Sequence, residues 1–124
     1  MRREYMEQHW TDKDGNPAGG VSCGTGFTVS WQNGPLGRHV AGCEAEPYGV
    51  HATGCTRMDP NGAFVEDLIQ AVIGRIEFYQ TASDGRFNCI ENELALVNLR
   101  AAAMALDFRT RGREKRSVEG THEL

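Results

Sequence analysis

The segment Asn88–Leu124 constrains this chain more than any other. Asn88 and Glu91 form an Asn-x-x-Glu capping box, which predicts a helix start. Ile90, Leu94, Val97, Ala101, Met104 and Phe108 then recur at three- and four-residue steps, the spacing of one helical face. Leu96, Leu99, Ala103 and Leu106 add a second apolar row, so the stripe is wider than a simple surface helix needs. At Arg109 the character changes: five of the eight residues to Arg116 are Arg or Lys, opposed only by Glu114. On a continuing helix Arg109, Arg113 and Arg116 project to one side, within about 60° of one another. Half of such a helix is built to be covered and half to hold an anion. The plainer alternative is a solvated helix end whose positive charges complement the dipole.

At 124 residues the chain is one domain by size. An apolar fraction of 40% with 15 Gly allows only a modest core, and two long helices in so small a domain predict a partner subunit that covers them. No apolar run approaches membrane-spanning length, and the opening residues have no apolar signal core. These features predict a cytoplasmic protein with reduced cysteines. The segment 109–116 carries a net +4 within a chain of net −4, so the remainder sums to −8. A local, small anionic ligand fits that asymmetry better than a long phosphate backbone.

Residues 1–20 are polar and read as a flexible or partly ordered lead-in. Within them Thr11–Asn16 matches part of a calcium loop but lacks the closing Glu. Phe27, Val29 and Trp31 alternate with polar residues, predicting a strand with a hairpin partner around Val21–Cys23. Asn33-Gly34-Pro35 turns the chain. Residues 38–59 read as a loop insertion. It holds two His-x-x-x-Cys pairs, His39/Cys43 and His51/Cys55, which form either a two-His, two-Cys zinc site or ordinary loop residues, with a plain loop preferred and no metal assigned. Asn61 is a candidate cap for a helix over 63–80, whose stripe runs from Phe64 to Tyr79. A second helix over 89–116 follows, and the short linker Thr81–Asn88 folds the two into an antiparallel hairpin. The expected fold is therefore α+β: a small N-terminal antiparallel sheet followed by a long helical hairpin, oligomeric.

Several blocks carry a family likeness. WQNGPLG (Trp31–Gly37), PNGAFVEDLI (Pro60–Ile69), the set Tyr79, Gln80, Phe87, Cys89, Glu91 and Asn92, and RTRGREKRSVEGTHE (Arg109–Glu123) resemble the phage Thoeris anti-defence proteins of the first type. That family shares its helical-hairpin domain with an anti-CBASS sponge family. The resemblance covers residues 27–37 and 60–123. It implies a protein that catalyses nothing and needs no cofactor. It would bind cyclic ADP-ribose isomers (gcADPR) made by TIR-domain enzymes, and in some members cyclic di- or trinucleotides. It also implies homodimers, often assembled to hexamers, with ligand pockets between subunits, in the cytoplasm of the infected host.

The residues can be matched to that ligand chemistry. Arg109 and Arg113 offer forked guanidinium donors to a pyrophosphate from one helical face. Phe78, Tyr79 and Phe87 lie at the hairpin turn, where an aromatic plane can stack on adenine; a core role is the alternative for each. The Asn92 amide can bond both donor and acceptor edges of adenine. Thr110 and Thr121 offer hydroxyls near the phosphates, and Arg57 is a candidate second phosphate contact. Asn92 and Arg109 are 17 residues apart, about 25 Å along one helix, so a small ligand cannot touch both in one subunit. An antiparallel pair would bring the turn of one copy beside the basic end of the other. Two rivals remain. One is an enzyme using Glu119, His122 and Glu123 or a Cys/His-bound zinc; the other is a nucleic-acid-binding hairpin using the basic helix end.

Overall fold

The computed structural model describes residues 4–37, 43, 53–116 and 121–122. Three strands, β1 (Tyr5–Thr11), β2 (Pro17–Gly24) and β3 (Phe27–Asn33), form an antiparallel sheet in the order β1-β2-β3. Two helices follow, α1 (Val65–Gly85) and α2 (Ile90–Lys115). The α+β architecture of a small sheet followed by a helical hairpin is therefore the observed one. No helix among the described residues is long and apolar enough to cross a membrane.

The polar lead-in expected over residues 1–20 is corrected by the structure, because β1 and the start of β2 occupy it. Apolar periodicity gave no warning, since every residue of β1 is exposed. The backbone ladder to β2 holds β1 in place, in the register Tyr5↔Gly24, Glu7↔Ser22 and His9↔Gly20. The calcium-like segment is the β1–β2 turn. Asp12 Oδ1 accepts from the Asp14 and Asn16 amides at 2.8 and 3.0 Å, so this carboxylate closes an Asx turn. Those backbone bonds, that from Asn16 first, hold the Asp12 carboxyl below its ordinary value.

A polar network joins the strands on one face. Trp31 Nε1 donates to Ser22 Oγ at 2.8 Å, Ser22 Oγ donates to Glu7 Oε1 at 3.2 Å, and the Tyr5 phenol donates to the same carboxylate. Ser22 is buried beneath these groups. Gly24 lies under the Phe27 ring, which stacks on Tyr5 at a centroid distance of 6.2 Å.

The block Trp31–Gly37 and the block Pro60–Ile69 meet at the edge of β3. Asn33 N donates to Asn61 Oδ1 at 2.7 Å, and Asn61 Nδ2 donates back to Asn33 O at 3.0 Å. Gln32 Oε1 accepts from the Asn61 and Gly62 amides, and Gln32 N donates to Ala63 O at 3.0 Å. Asn61 is thus no helix cap. Its amide satisfies an edge strand, a stronger demand than a frayed first turn, and α1 begins only at Val65. Gly62 is required by this contact, since a Cβ there would sit 2.5 Å from the Trp31 carbonyl carbon.

The chain divides into two compact units, Met1–Phe64 with Arg113–Leu124, and Val65–Gly112. In the second unit Gln80 bonds Asn92, Glu77 pairs with Arg100 at 3.4 Å, and Glu66 and Gln70 share a groove with Ala103 and Asp107. Those pairings run in opposite directions along the two helices, the signature of an antiparallel hairpin. Leu36, Ile73 and Leu96 are the buried apolar side chains among the described residues.

Two outcomes follow from this packing. Gly62→Ala should lower the unfolding free energy of the sheet unit by about 1–3 kcal/mol, read as a reduced denaturation midpoint; an unchanged midpoint would contradict the close approach. The Tyr5–Glu7 bond needs the phenol protonated and the carboxylate ionised, so it raises the phenol and lowers the carboxyl. The lowered carboxyl contributes stability that is present above the ordinary Glu range and lost as pH falls through the lowered value. The raised phenol contributes stability that is present below about pH 10 and lost as pH rises through the raised value. The stability difference between wild type and Tyr5→Phe should therefore be largest across neutral pH and shrink at both extremes. A difference independent of pH would rule the bond out.

Candidate functional site

The bend between the helices is organised by Gln80, buried to 7% exposure near the end of α1. Its Oε1 accepts from Cys89 N at 3.1 Å and Asn92 Nδ2 at 3.0 Å. Its Nε2 donates to Cys89 O at 3.3 Å and Glu93 Oε1 at 2.7 Å. Its own carbonyl accepts from Asn88 Nδ2 at 3.4 Å. The expected Asn88–Glu91 capping box is therefore not formed. Asn88 turns back to α1, α2 starts at Ile90, and the Cys89 amide is satisfied by the Gln80 side chain.

Between them the chain makes a tight reversal. Ala82 leaves the helical region, with φ −60° and ψ 145°, while Ser83 and Asp84 are left-handed at φ 52° and 57°, followed by Gly85 at φ 83°. The linker expected over Thr81–Asn88 coincides with this reversal. Aromatic and cationic side chains surround it. Phe78 and Tyr79 are exposed and tilted to one another at 6.2 Å, and the Arg75 guanidinium lies over both rings, at 5.2 and 4.9 Å. Arg75 Nε also donates to the Tyr79 hydroxyl at 3.1 Å. Phe87 is exposed with the Arg86 guanidinium 5.3 Å above its ring.

The remaining sequence-selected residues are elsewhere. Arg109 is exposed on α2. Arg113 is 6% exposed, and its Nη2 donates to Thr121 O at 2.8 Å, so this guanidinium ties down the segment after the helix. Thr110 is half-buried in an open groove with Glu66, Gln70, Ala103, Met104 and Asp107. With two carboxylates, that groove is unsuited to an anion. Arg57 is half-buried and donates to Gly37 O at 3.1 Å. His39, His51, Glu119 and Glu123 lie outside the described residues, and His122 is exposed.

The structure thus gathers Phe78, Tyr79, Phe87 and Asn92 at the hairpin bend, and it leaves Thr110 and Arg109 toward the far end of α2. Sequence reasoning missed three contributors. Gln80 stood in the family block with no role assigned, because a polar residue late in a helix gives no sign of burial. Arg75 and Arg86 were also passed over, although Arg75 precedes Phe78 and Tyr79 by three and four residues, the spacing of side-chain neighbours on a helix.

The chain is 40% identical over 96 residues to Thoeris anti-defense 1 of Bacillus phage SBSphiJ7, an alignment covering 77% of this chain and 52% of that protein. The chain belongs to the Thoeris anti-defence family. It spans about half the length of the curated relative it matches. No protein-family model matches it. Membership gives the family blocks a physical content: within this Thoeris anti-defence chain they build the β3-edge joint, the Gln80 bend and the Arg113–Thr121 tie.

The left-handed run at the bend yields one expectation. Ser83→Gly should relieve a left-handed L residue, at roughly 1–2 kcal/mol, against roughly 0.5–1 kcal/mol of added unfolded-state freedom. The hairpin should melt slightly higher. A clear fall in melting temperature would contradict the reversal.

Proposed function

We propose that this protein is a phage anti-Thoeris sponge: it binds cyclic ADP-ribose-type messengers made by TIR-domain enzymes, holds them without cleavage, and so keeps the host effector silent. The observation that carries this reading is the 40% identity to Thoeris anti-defense 1. Ligand capture and the absence of turnover belong to the proposal, as do action in the host cytoplasm and binding of cyclic di- or trinucleotides.

Two structural features support a pocket split between copies. First, the row Ile90, Leu94, Val97, Met104 and Phe108 on α2 is 57–71% exposed. Covering each such side chain stabilises an assembly by about 1.5–3 kcal/mol before the cost of association. Second, the aromatic bend and Arg109 lie at opposite ends of α2, as far apart as the chain alone implied. A second copy running antiparallel along the exposed row would set the bend of one beside the guanidiniums of the other. The pyrophosphate would meet the Arg109 guanidinium, and the base would meet the ring faces at the bend. Dimers of this kind, or a hexamer of them, complete the site.

The test is incubation with 1″–3′ cyclic ADP-ribose, gel filtration, then heat denaturation and chromatography of the released ligand. Intact nucleotide should be recovered from the protein fraction, and Arg109→Ala should lose retention by at least about tenfold with helicity unchanged. Recovery of a cleaved product would replace the sponge with an enzyme. Equal retention by Arg109→Ala would remove the phosphate assignment.

A further inference from the structure

Gln80 does more than close the bend. An isolated amide is ambiguous, since its oxygen and nitrogen can exchange places by a flip about the last bond. Here the ambiguity is removed by the backbone. Cys89 N is only a donor and Cys89 O only an acceptor, so Gln80 must present Oε1 to the first and Nε2 to the second. The Glu93 carboxylate, 2.7 Å from Nε2, fixes the same choice. The atom of Asn92 that lies 3.0 Å from Gln80 Oε1 must then be its Nδ2. Polarity is passed from the Cys89 backbone, through a buried side chain, to the amide of Asn92. Among the described residues nothing bonds the Asn92 oxygen, and one Nδ2 hydrogen is also left.

We infer that Gln80 is a positioning residue that locks the Asn92 amide with its oxygen away from α1, so that the bend accepts a purine with a 6-amino group and rejects its 6-oxo counterpart. This rests on the proposed binding of a purine nucleotide at the bend. A freely flipping amide reads either edge, because it can present oxygen to an amino group or nitrogen to a keto group. The locked amide offers oxygen first and N–H beside it, which matches the amino donor and ring-nitrogen acceptor of adenine. A 6-oxo purine would put oxygen against oxygen. Turning the base over, to set its N1–H against that oxygen, would swing the attached ribose and pyrophosphate away from the guanidinium proposed to hold them.

The experiment compares retention of 1″–3′ cyclic ADP-ribose with its hypoxanthine analogue, 1″–3′ cyclic inosine diphosphate ribose, by the full chain. Wild type should favour the adenine form by about ten- to a hundredfold. In Gln80→Leu the Asn92 amide is released, and the ratio of the two affinities should fall toward one even if both affinities also drop. That ratio is the readout, since a merely structural role for Gln80 would weaken both ligands alike and leave it unchanged. If Gln80→Leu does not fold, Asn92→Ala should abolish the ratio by itself, and its persistence there would overturn the inference. Equal binding of both ligands by wild type would overturn this inference while leaving messenger capture standing. Retention of neither would overturn messenger capture itself.

Discussion

The helical hairpin depends on one buried amide. Gln80 satisfies the first backbone amide before α2, donates to the carbonyl of the same residue, and holds the side chains of Asn92 and Glu93. A buried amide with any of these partners missing would leave a polar group unsatisfied, at roughly 1–3 kcal/mol each. The contacts therefore stand or fall together. They tie α1 to the start of α2 across the left-handed Ser83 and Asp84, and they determine which way Asn92 faces.

The sheet unit uses the same device at another place. The side chains of Gln32 and Asn61 stitch β3 to the following loop through reciprocal amide–backbone bonds. Near the end of the chain Arg113 ties the Thr121 carbonyl. Few apolar side chains are buried among the described residues, so polar joints between short blocks carry much of the specification of this fold. Those joints coincide with the blocks that carry the family likeness. The likeness there records backbone architecture.

Periodicity made the helices legible. Both appear within a few residues of the expected bounds, and the two apolar rows of α2 separate as their spacing implied. Leu96 is buried and Leu99, Ala103 and Leu106 are half-buried, while the Ile90–Phe108 row is exposed. The strand β3 was equally plain. What escaped was structure built on polar backbone pairing. Strand β1 has no apolar face to betray it, and both Asn61 and Asn88 looked like caps because capping residues are the same types that make side chain–backbone joints. At the bend, Tyr79, Phe87 and Asn92 stood in the family blocks, and the structure places them at the reversal between the helices. The buried state of Gln80 and Arg113 was not, since local sequence says nothing about what covers a polar side chain.

Under the proposed function, the exposed apolar row on α2 and the division of the proposed ligand contacts between its two ends both call for a second copy. The most direct measurement uses two inactive variants co-expressed with different tags: Arg109→Ala, which keeps its bend, and Phe87→Ala/Asn92→Ala, which keeps its guanidiniums. If each pocket draws its bend from one copy and its arginine from the other, a mixed dimer holds one intact pocket and one doubly impaired pocket. Random assembly then restores cyclic ADP-ribose retention to about a quarter of the wild-type sites. Mixed dimers that form and still retain no ligand would contradict a pocket shared between copies.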